Sequence, residues 1–161
     1  MSEKDVFCEQ IRLCSNAMYA LAFSVVRNEA DAGDIVSESI FRAYKNFGSL
    51  KSKNSFKPWM LRIVHNTAVE FIRKNSKSVP MEEAEPVSEC GESDIMTRLA
   101  LRDAVESLKQ PYRTVVVLFY YENLSVSKIA QITETNVSAV KQQLSRARKL
   151  LREILKEDFN K

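Results

Sequence analysis

The stretch VSAVKQQLSRARKLLREIL, residues Val137–Leu155, has an apolar residue at every third or fourth position and carries five basic side chains. Apolar residues at that spacing predict an amphipathic helix. No acidic residue precedes Glu153 in the stretch, so the polar face of the helix is positively charged. Three interpretations are open: a helix on a membrane surface, a core helix with a solvated charged face, or a helix that lies against DNA.

The residues before this helix predict a tight turn and a second, shorter helix. Ser125 is placed to cap a helix from Val126 to about Thr133, because its hydroxyl can accept a hydrogen bond from an unpaired amide of the first turn. Residues 134–137 then separate the short helix from the long one, which Asn136 or Ser138 is placed to cap. A short helix, a tight turn and a long basic helix together form a helix-turn-helix, which is a DNA-binding motif.

The two faces of the long helix have different predicted roles. Ala130 is small where the short and long helices approach, and their shared apolar seam is predicted to contain Ile129, Ile132, Val137, Val140 and Leu144. The face away from the seam carries polar and basic residues at helical spacing: Lys141, Gln142, Ser145, Arg146 and Lys149. Arg and Gln can make paired hydrogen bonds to base edges, whereas Lys mainly binds phosphate. A membrane-surface helix favours bulky Trp, Phe or Leu opposite its charges and no preceding turn motif. Because a short helix and a turn precede this helix, DNA binding is favoured.

Two further helices are predicted in the C-terminal half. One begins near Asp94 and ends before Gln110, because a proline follows there. Its predicted apolar face consists of Leu99, Leu101, Val105 and Leu108. The next contains the run TVVVLFYYENL, residues 114–124, which is apolar almost all round. A helix of that kind is expected at the centre of a small bundle.

The N-terminal half has a stretch in which basic and aromatic residues alternate. From Arg42 to Lys74 there are eight basic residues against the single acid Glu70. The aromatic residues of this stretch that bear on nucleic-acid binding are Phe47, Phe56 and Trp59. Aromatic rings stack on unpaired bases while cations follow the backbone, so the pattern is typical of single-stranded nucleic-acid binding. The alternative is that Phe56 and Trp59 are core residues, which is favoured for Trp59 because it shares a helix face with Ile63.

Composition and charge predict an all-α chain of two small helical domains joined by a flexible acidic linker. Only three glycines and four prolines occur among 161 residues, of which 45% are hydrophobic, and strand-type alternation is scarce. The predicted domains are residues 1–75 and 95–161, with net charges of +3 and +5, and the linker between them carries −5. The linker sequence SKSVPMEEAEPVSECGESD is rich in serine, proline and acid, as tethers are. Its charge is either that of a solvated linker or a mimic of nucleic acid in a basic channel.

The sequence offers little for catalysis or metal binding. Cys8, Cys14 and Cys90 form no CxxC pair, and His65 is the single histidine, so a metal site is not predicted. Neither a GxSxG motif nor a Walker glycine loop occurs, and we predict no enzyme, cofactor or small-molecule substrate. No apolar run approaches the roughly 20 residues that span a bilayer. The N-terminus lacks the apolar core of a signal peptide, which predicts a cytoplasmic protein.

Motifs from both halves resemble one known family. The order DAGDIVSESIFRAY (31–44), SFKPWMLRIVHNTAVEFIRK (55–74), an acidic linker, QPYRTVVVLFYYENLSVSKIAQI (110–132) and VSAVKQQLSRARKLL (137–151) is similar to extracytoplasmic-function sigma factors of the sigma-70 family. The likeness covers nearly the whole chain. It implies that residues 1–75 are sigma region 2, that residues 95–161 are sigma region 4, and that the protein directs promoter recognition and melting by RNA polymerase core.

The resemblance also implies roles for particular residues. The helix from Asp31 to Tyr44 matches the surface that docks on the polymerase clamp helices, with Asp34, Ile35, Glu38 and Phe41 as its contacts. The loop from Phe47 to Lys57 matches the one that captures a flipped base of the minus-ten element. The candidate minus-ten residues are Phe47, Lys53, Phe56, Lys57, Trp59, Arg62 and Asn66. The candidate readers of the minus-thirty-five element are the five polar residues of the long helix given above.

Some positions depart from the family pattern. Gly33 stands where an acidic residue is usual, and Ser37 stands where Gln is usual. Glu134 occupies a turn position that is often glycine, so it is expected to be strained if it adopts a positive φ. Ser138 and Ala139 replace the common Gly-Thr pair at the start of the recognition helix.

The implied partners are RNA polymerase core, through its clamp helices and flap region, promoter DNA, and an anti-sigma factor, often a membrane protein. Two other functions are left open by the residues themselves. One is a helix-turn-helix regulator that binds a duplex operator without polymerase, which needs a dimer interface and a ligand pocket. The other is an adaptor that binds only proteins, which does not explain the basic excess of residues 42–74 and of the last helix.

Overall fold

Three long helices form the N-terminal half. The computed structural model describes residues 2–52, 55–75 and 93–159, and its first helices are α1 (Glu3–Val26), α2 (Glu29–Asn46) and α3 (Phe56–Asn75). Ser2 and Asp5 form a capping box at the start of α1, with the Asp5 amide donating to Ser2 Oγ over 3.2 Å. At the start of α2 a single bond forms the cap, in which Asn28 Oδ1 accepts from the Asp31 amide at 2.9 Å. A short 3₁₀ turn, Phe47–Ser49, follows α2.

Four helices form the C-terminal half of the described chain. They are α4 (Ser93–Ser107), α5 (Tyr112–Val116), α6 (Val126–Thr133) and α7 (Val137–Phe159), and α5 continues into a π-helical turn, Val117–Tyr121. The predicted all-α class is confirmed, since no strand occurs within the described residues. Lys53 and the predicted linker up to residue 92 lie outside the described residues.

The two halves share one apolar core. In the N-terminal half, Met18 and Leu21 of α1 pack with Met60, Leu61 and Val64 of α3, all fully buried. The same core continues into the C-terminal half through a second set of buried residues: Val115, Leu118, Leu124, Ile129, Ala130, Ile132, Val140 and Leu144. A smaller cluster of Val105, Leu108, Val116 and Ala147 joins α4 to α5 and α7. Burying a Leu or Ile side chain contributes about 1.5–3 kcal/mol, so this shared core favours contact between the halves.

Three predictions about apolar residues were wrong. Val137 was assigned to the seam but is 40% exposed, because it is the first residue of α7 and precedes the turn that packs on α6. Leu101 is 41% exposed, because α4 makes its buried contacts one turn later, through Val105 and Leu108. The run 114–124 is not buried throughout: Val115, Leu118 and Leu124 are buried, but Tyr120 and Tyr121 are exposed.

A buried arginine also joins the halves. Arg113 of α5 is 5% exposed, and its Nε donates to the carbonyl oxygen of Ser24 at the end of α1. Its Nη1 donates to the Leu108 carbonyl at 2.7 Å, and its Nη2 lies 3.5 Å from the Val25 carbonyl. Burial lowers the pKa of Arg113 to about 10. The last carbonyls of a helix lack partners and carry partial negative charge, so Arg113 places a cation and hydrogen-bond donors against the end of α1.

Candidate nucleic-acid interface

The helix-turn-helix has the predicted caps. The Lys128 amide donates to Ser125 Oγ over 3.2 Å at the start of α6, and the Ala139 amide donates to Asn136 Oδ1 over 2.8 Å at the start of α7. Each bond satisfies one of the free amides of a first turn. The prediction that Ser125 caps the short helix is confirmed, and of the two caps proposed for α7 it is Asn136 that makes the bond.

Glu134 shapes the turn between these helices. It ends α6 in the left-handed conformation, with φ 56° and ψ 43°, the conformation that glycine would adopt at this position without strain. The Thr135 amide donates to the Ala130 carbonyl over 2.9 Å, which closes the end of α6. A non-glycine residue in this conformation costs about 1–2 kcal/mol, so the chain keeps a carboxylate here despite backbone strain.

The outer face of α7 is available for contact. The residues assigned to reading DNA are all exposed: Lys141, Gln142, Ser145, Arg146 and Lys149. On the inner face Val140, Leu144 and Ala147 are buried, at the three- and four-residue spacing of one helix side. The structure thus separates an apolar inner stripe from a polar and basic outer stripe on the same helix.

A second exposed surface lies on α2. Asp34 and Glu38 are exposed, and Phe41 is 56% exposed with Lys45 Nζ 4.3 Å above its ring. Ile35, assigned to the same surface, is only 1% exposed and belongs to the core. Its assignment as a polymerase contact is therefore wrong, because its position on α2 faces α1 and α3 and its side chain is covered.

An ion-pair network ties this surface to α3. Arg42 donates from Nε to Glu38 Oε1 over 3.1 Å and from Nη1 to Glu70 Oε2 over 2.8 Å. Lys74 Nζ lies 3.2 Å from the other oxygen of Glu70. Hydrogen bonds from Arg42 and then Lys74 lower the pKa of Glu70 to about 2, so its carboxylate stays ionised. These residues line a groove of about 380 Å³ between α2 and α3.

The aromatic residues of the minus-ten prediction form a ring cluster with Phe7. The centroid of the Phe7 ring is 5.1 Å from that of Phe47 and 6.0 Å from that of Phe56, and the Phe56 ring is 5.6 Å from that of Trp59. Phe56 is fully buried. Its assignment to DNA is wrong, because a covered ring has no face on which a base can stack. Phe47 and Trp59 are half-buried and pack against the core, so part of each ring faces outward.

The remaining minus-ten candidates are polar residues of α3. Lys57 is half-buried, and Arg62 and Asn66 are exposed. Arg62 and Asn66 both face the helix-turn-helix: Arg62 Nε donates to Glu134 Oε1 over 2.8 Å, and Asn66 Nδ2 donates to the same oxygen over 3.3 Å. These bonds, with that from Arg62 first, lower the pKa of Glu134. Sequence reasoning missed this contact, because nothing in a local pattern pairs residues 68 and 72 positions apart.

His65 of α3 has a buried ring nitrogen. Nδ1 of His65, next to Asn66, is buried and has no hydrogen-bond partner, and burial lowers the pKa of His65.

Among the residues that the structure describes, no group of three His, Cys, Asp or Glu side chains is placed to hold a metal ion. Within the same residues, none of the helices is long and apolar enough to cross a membrane.

Both halves of the chain match family models of known proteins. The family model for sigma-70 region 2 matches residues 11–78, and that for sigma-70 region 4 matches residues 98–151. The RNA polymerase sigma factor SigV of Bacillus subtilis is 37% identical over 145 residues, which cover 88% of this chain and 87% of that protein. The ECF RNA polymerase sigma factor SigW of the same organism is 29% identical over 172 residues, covering 96% and 91%.

Solved structures show the same fold. The sigma factor RpoE of Bartonella quintana, in complex with the anti-sigma factor NepR, superimposes with a TM-score of 0.75 at 25% identity, over 93% of this chain and 96% of that one. CnrH, in complex with the cytosolic domain of CnrY, gives a TM-score of 0.73 at 22% identity, over 98% and 92%.

The all-helical fold and the matches to both sigma-70 regions define a helical protein of transcription. The chain belongs to the extracytoplasmic-function sigma factors of the sigma-70 family. It is an alternative sigma factor that directs RNA polymerase in transcription initiation, and its family is a class of transcription regulators rather than of enzymes.

Proposed function

We propose that the two exposed surfaces divide the work of initiation between the two halves. Residues 1–75 bind polymerase core through Asp34, Glu38 and Phe41 on α2, and bind the minus-ten element through α3. Residues 95–161 bind the minus-thirty-five element through the outer face of α7. The observation that carries this proposal is the correctly capped helix-turn-helix, whose basic face is exposed while its apolar face is buried.

The proposed mechanism depends on tethering. Each half alone binds DNA weakly, but two sites on one chain, held on polymerase core, engage one promoter at a high effective concentration. Arg62 and Asn66 favour the melted promoter because they bind bases that are already unstacked. The polymerase supplies the chemistry, and the sigma factor supplies positioning.

The proposal includes an anti-sigma partner. The similar sigma factor RpoE is solved in complex with the anti-sigma factor NepR, which supports the same kind of partner here. Such a protein would hold the chain inactive by covering the surfaces that bind polymerase and DNA. The sigma factor acts in the cytoplasm with the polymerase, and is held near the membrane where the anti-sigma factor is a membrane protein.

The polymerase surface is tested by reversing its charge. The double variant Asp34→Lys and Glu38→Lys should bind core polymerase about tenfold more weakly. A polymerase surface that is complementary to the two carboxylates repels lysines at the same positions. Affinity is measured by competition with the wild-type chain for purified core. The control Glu153→Lys with Glu157→Lys makes the same change of charge on exposed positions of α7. If the α2 variant competes for core as well as the wild-type chain does, the docking surface lies elsewhere.

The recognition helix is tested at Arg146. Arg146→Ala should weaken binding to the minus-thirty-five duplex by about 1–3 kcal/mol, the cost of losing a paired contact to a base. Binding to core polymerase should not change. Arg152→Ala removes an exposed arginine further along α7 and serves as the control. If both variants bind the cognate duplex like the wild type, α7 does not read DNA through Arg146.

Single-strand binding is tested at Asn66 in the full chain, because the halves share a core and a fragment would expose it. The DNA is a minus-ten sequence selected from a random pool by the polymerase complex. The chain should prefer its single strand to its duplex, and Asn66→Ala should reduce that preference more than the total affinity. Raised salt should weaken all binding but keep the preference. Fluorescence anisotropy measures the affinity for the single strand and for the duplex, and Asn16→Ala is the control variant. Equal affinities for the two DNA forms would refute single-strand capture.

A further inference from the structure

Val137 places an apolar side chain at the start of the recognition helix. It is the first residue of α7 and is 40% exposed, and its neighbours along the chain, Asn136 and Ser138, are exposed polar residues. In helix-turn-helix proteins the N-terminal residues of the recognition helix contact base edges in the major groove. An exposed valine therefore lies where contacts to bases are made.

The core of the protein does not account for this valine. Helical periodicity aligns Val137 with Val140 and Leu144, which are buried with Ile129 and Ile132 of α6 in the shared core. Val137 extends the same apolar stripe one turn further, to the end of the helix, where it is exposed. Its side chain is thus available to a partner of α7.

The major groove of DNA offers one apolar group to such a side chain. The edges of adenine, guanine and cytosine present hydrogen-bond donors and acceptors there, whereas thymine also presents its C5 methyl group. A valine side chain has no polar atom, so it can distinguish bases only through apolar contact. Valine in a helix has one strongly preferred rotamer, so little side-chain freedom is lost when it makes that contact.

We propose that Val137 is a specificity-determining residue of the minus-thirty-five contact, and that its side chain packs on the C5 methyl group of one thymine in the major groove. The inference rests on the proposed function, in which α7 reads this element. It adds an apolar contact to the polar readers of α7 and names the base that the contact selects.

Lys141 supports this placement. It is exposed and follows Val137 by four residues, so the two are neighbours along the helix, separated by a rise of about 6 Å. Lysine mainly binds phosphate, and no acidic residue of α7 precedes Glu153, so the start of the helix does not repel the DNA backbone. Phosphate contacts fix the register of a protein on DNA, and a phosphate bound by Lys141 would hold Val137 near a base edge.

Leu150 provides a matched comparison on the same helix. It is also an exposed apolar residue, at 37%, but it lies about 20 Å further along α7 than Val137. Because a recognition helix contacts bases with its N-terminal residues, Leu150 lies beyond the expected base contacts. Loss of its side chain should not change the choice of base.

The experiment removes the methyl group from the DNA, so that the fold of the protein is not disturbed. The polymerase complex selects a minus-thirty-five duplex from a random pool, and each thymine of the selected element is replaced in turn by deoxyuridine, which lacks only the C5 methyl group. The complex with the wild-type chain should bind one of these duplexes about three- to fivefold more weakly, as expected for one methyl group that is no longer buried. Competition against the labelled thymine duplex measures the affinity.

Three variants assign the response to Val137. Val137→Ala should bind the thymine duplex about three- to fivefold more weakly and should not respond to deoxyuridine at that position, because the methyl group has lost its partner. Val137→Ile keeps the apolar contact and should keep the response, and Leu150→Ala should behave like the wild type. A wild type indifferent to every deoxyuridine, a selected element without thymine, or a full response in Val137→Ala would overturn the inference.

The same duplex distinguishes this failure from failure of the proposed function. If the polymerase complex selects no common sequence, the proposed function fails and the inference falls with it. If a sequence is selected and Arg146→Ala weakens binding to it, α7 reads the element as proposed. The deoxyuridine responses of the wild type and Val137→Ala then decide the role of Val137 alone.

Discussion

Replacing Phe56 with alanine is expected to lower the free energy of unfolding by about 3–5 kcal/mol. The Phe56 ring is fully buried against Phe7, Phe47 and Trp59, so its removal leaves a cavity at the start of α3. Phe56→Leu should cost much less, because most of the volume is kept. Urea denaturation of the full chain measures both variants.

Phe41→Ala is the matched control, since the same ring is lost from a side chain that is 56% exposed. It should change stability by only about 0.5 kcal/mol, as most surface substitutions do. A loss for Phe56→Ala as small as that for Phe41→Ala would contradict the core role of Phe56. It would also reopen the interpretation of Phe56 as a residue that stacks on DNA bases.

Replacing Arg113 with methionine is expected to lower the free energy of unfolding by about 2–4 kcal/mol. Hydrogen bonds from a charged donor contribute about 1.5–3 kcal/mol each, and the methionine side chain would leave the Leu108 and Val25 carbonyls without the Arg113 donors. Part of this loss is offset because a cation no longer has to be buried. The Ser24 carbonyl still accepts a hydrogen bond from Gln110 Nε2 at 2.8 Å, which limits the loss of stability.

Arg102→Met provides the comparison, because Arg102 is exposed and its ion pair with Glu106 lies on the surface of α4. Its loss should cost less than about 0.5 kcal/mol. Hydrogen exchange should locate the effect of Arg113→Met at the end of α1 and the start of α5, where the halves meet. Unchanged protection at both places would contradict a role for Arg113 in holding them together.

Local signals in the sequence predicted the helices and caps well. Ser125 and Asn136 cap their helices because hydroxyl and amide oxygens reach the free amides of a first turn, a relation within three residues that a sequence displays directly. The apolar stripe of Val140 and Leu144 likewise follows from helical periodicity. These features depend on neighbours along the chain.

Burial of single residues was harder to predict. Ile35 and Phe56 lie in segments whose family role is binding, yet both are core residues, because a helix that presents one face to a partner must bury its other face. Val137 has the right residue type for the seam but lies at the first position of α7. Residue type alone does not distinguish these cases, since the deciding factor is which element covers the side chain.

The contact between the halves could not be predicted from the sequence. Arg113 meets Ser24 and Val25, and Glu134 meets Arg62, through polar groups that are 72 to 89 residues apart. Such pairs have no periodicity and no characteristic spacing. The sequence predicted two domains joined by an acidic tether but not their relative orientation, and the described residues of the two halves share a core and bury a cation between them.

The most direct test of the sigma-factor assignment is run-off transcription with purified core polymerase on promoter DNA. We expect that adding the chain produces transcripts from a defined start site and that the chain copurifies with core. The Asp34→Lys and Glu38→Lys variant should need about tenfold more protein for both. Binding to a duplex operator without core, or binding to core without promoter-specific transcripts, would contradict the assignment of this chain as a sigma factor.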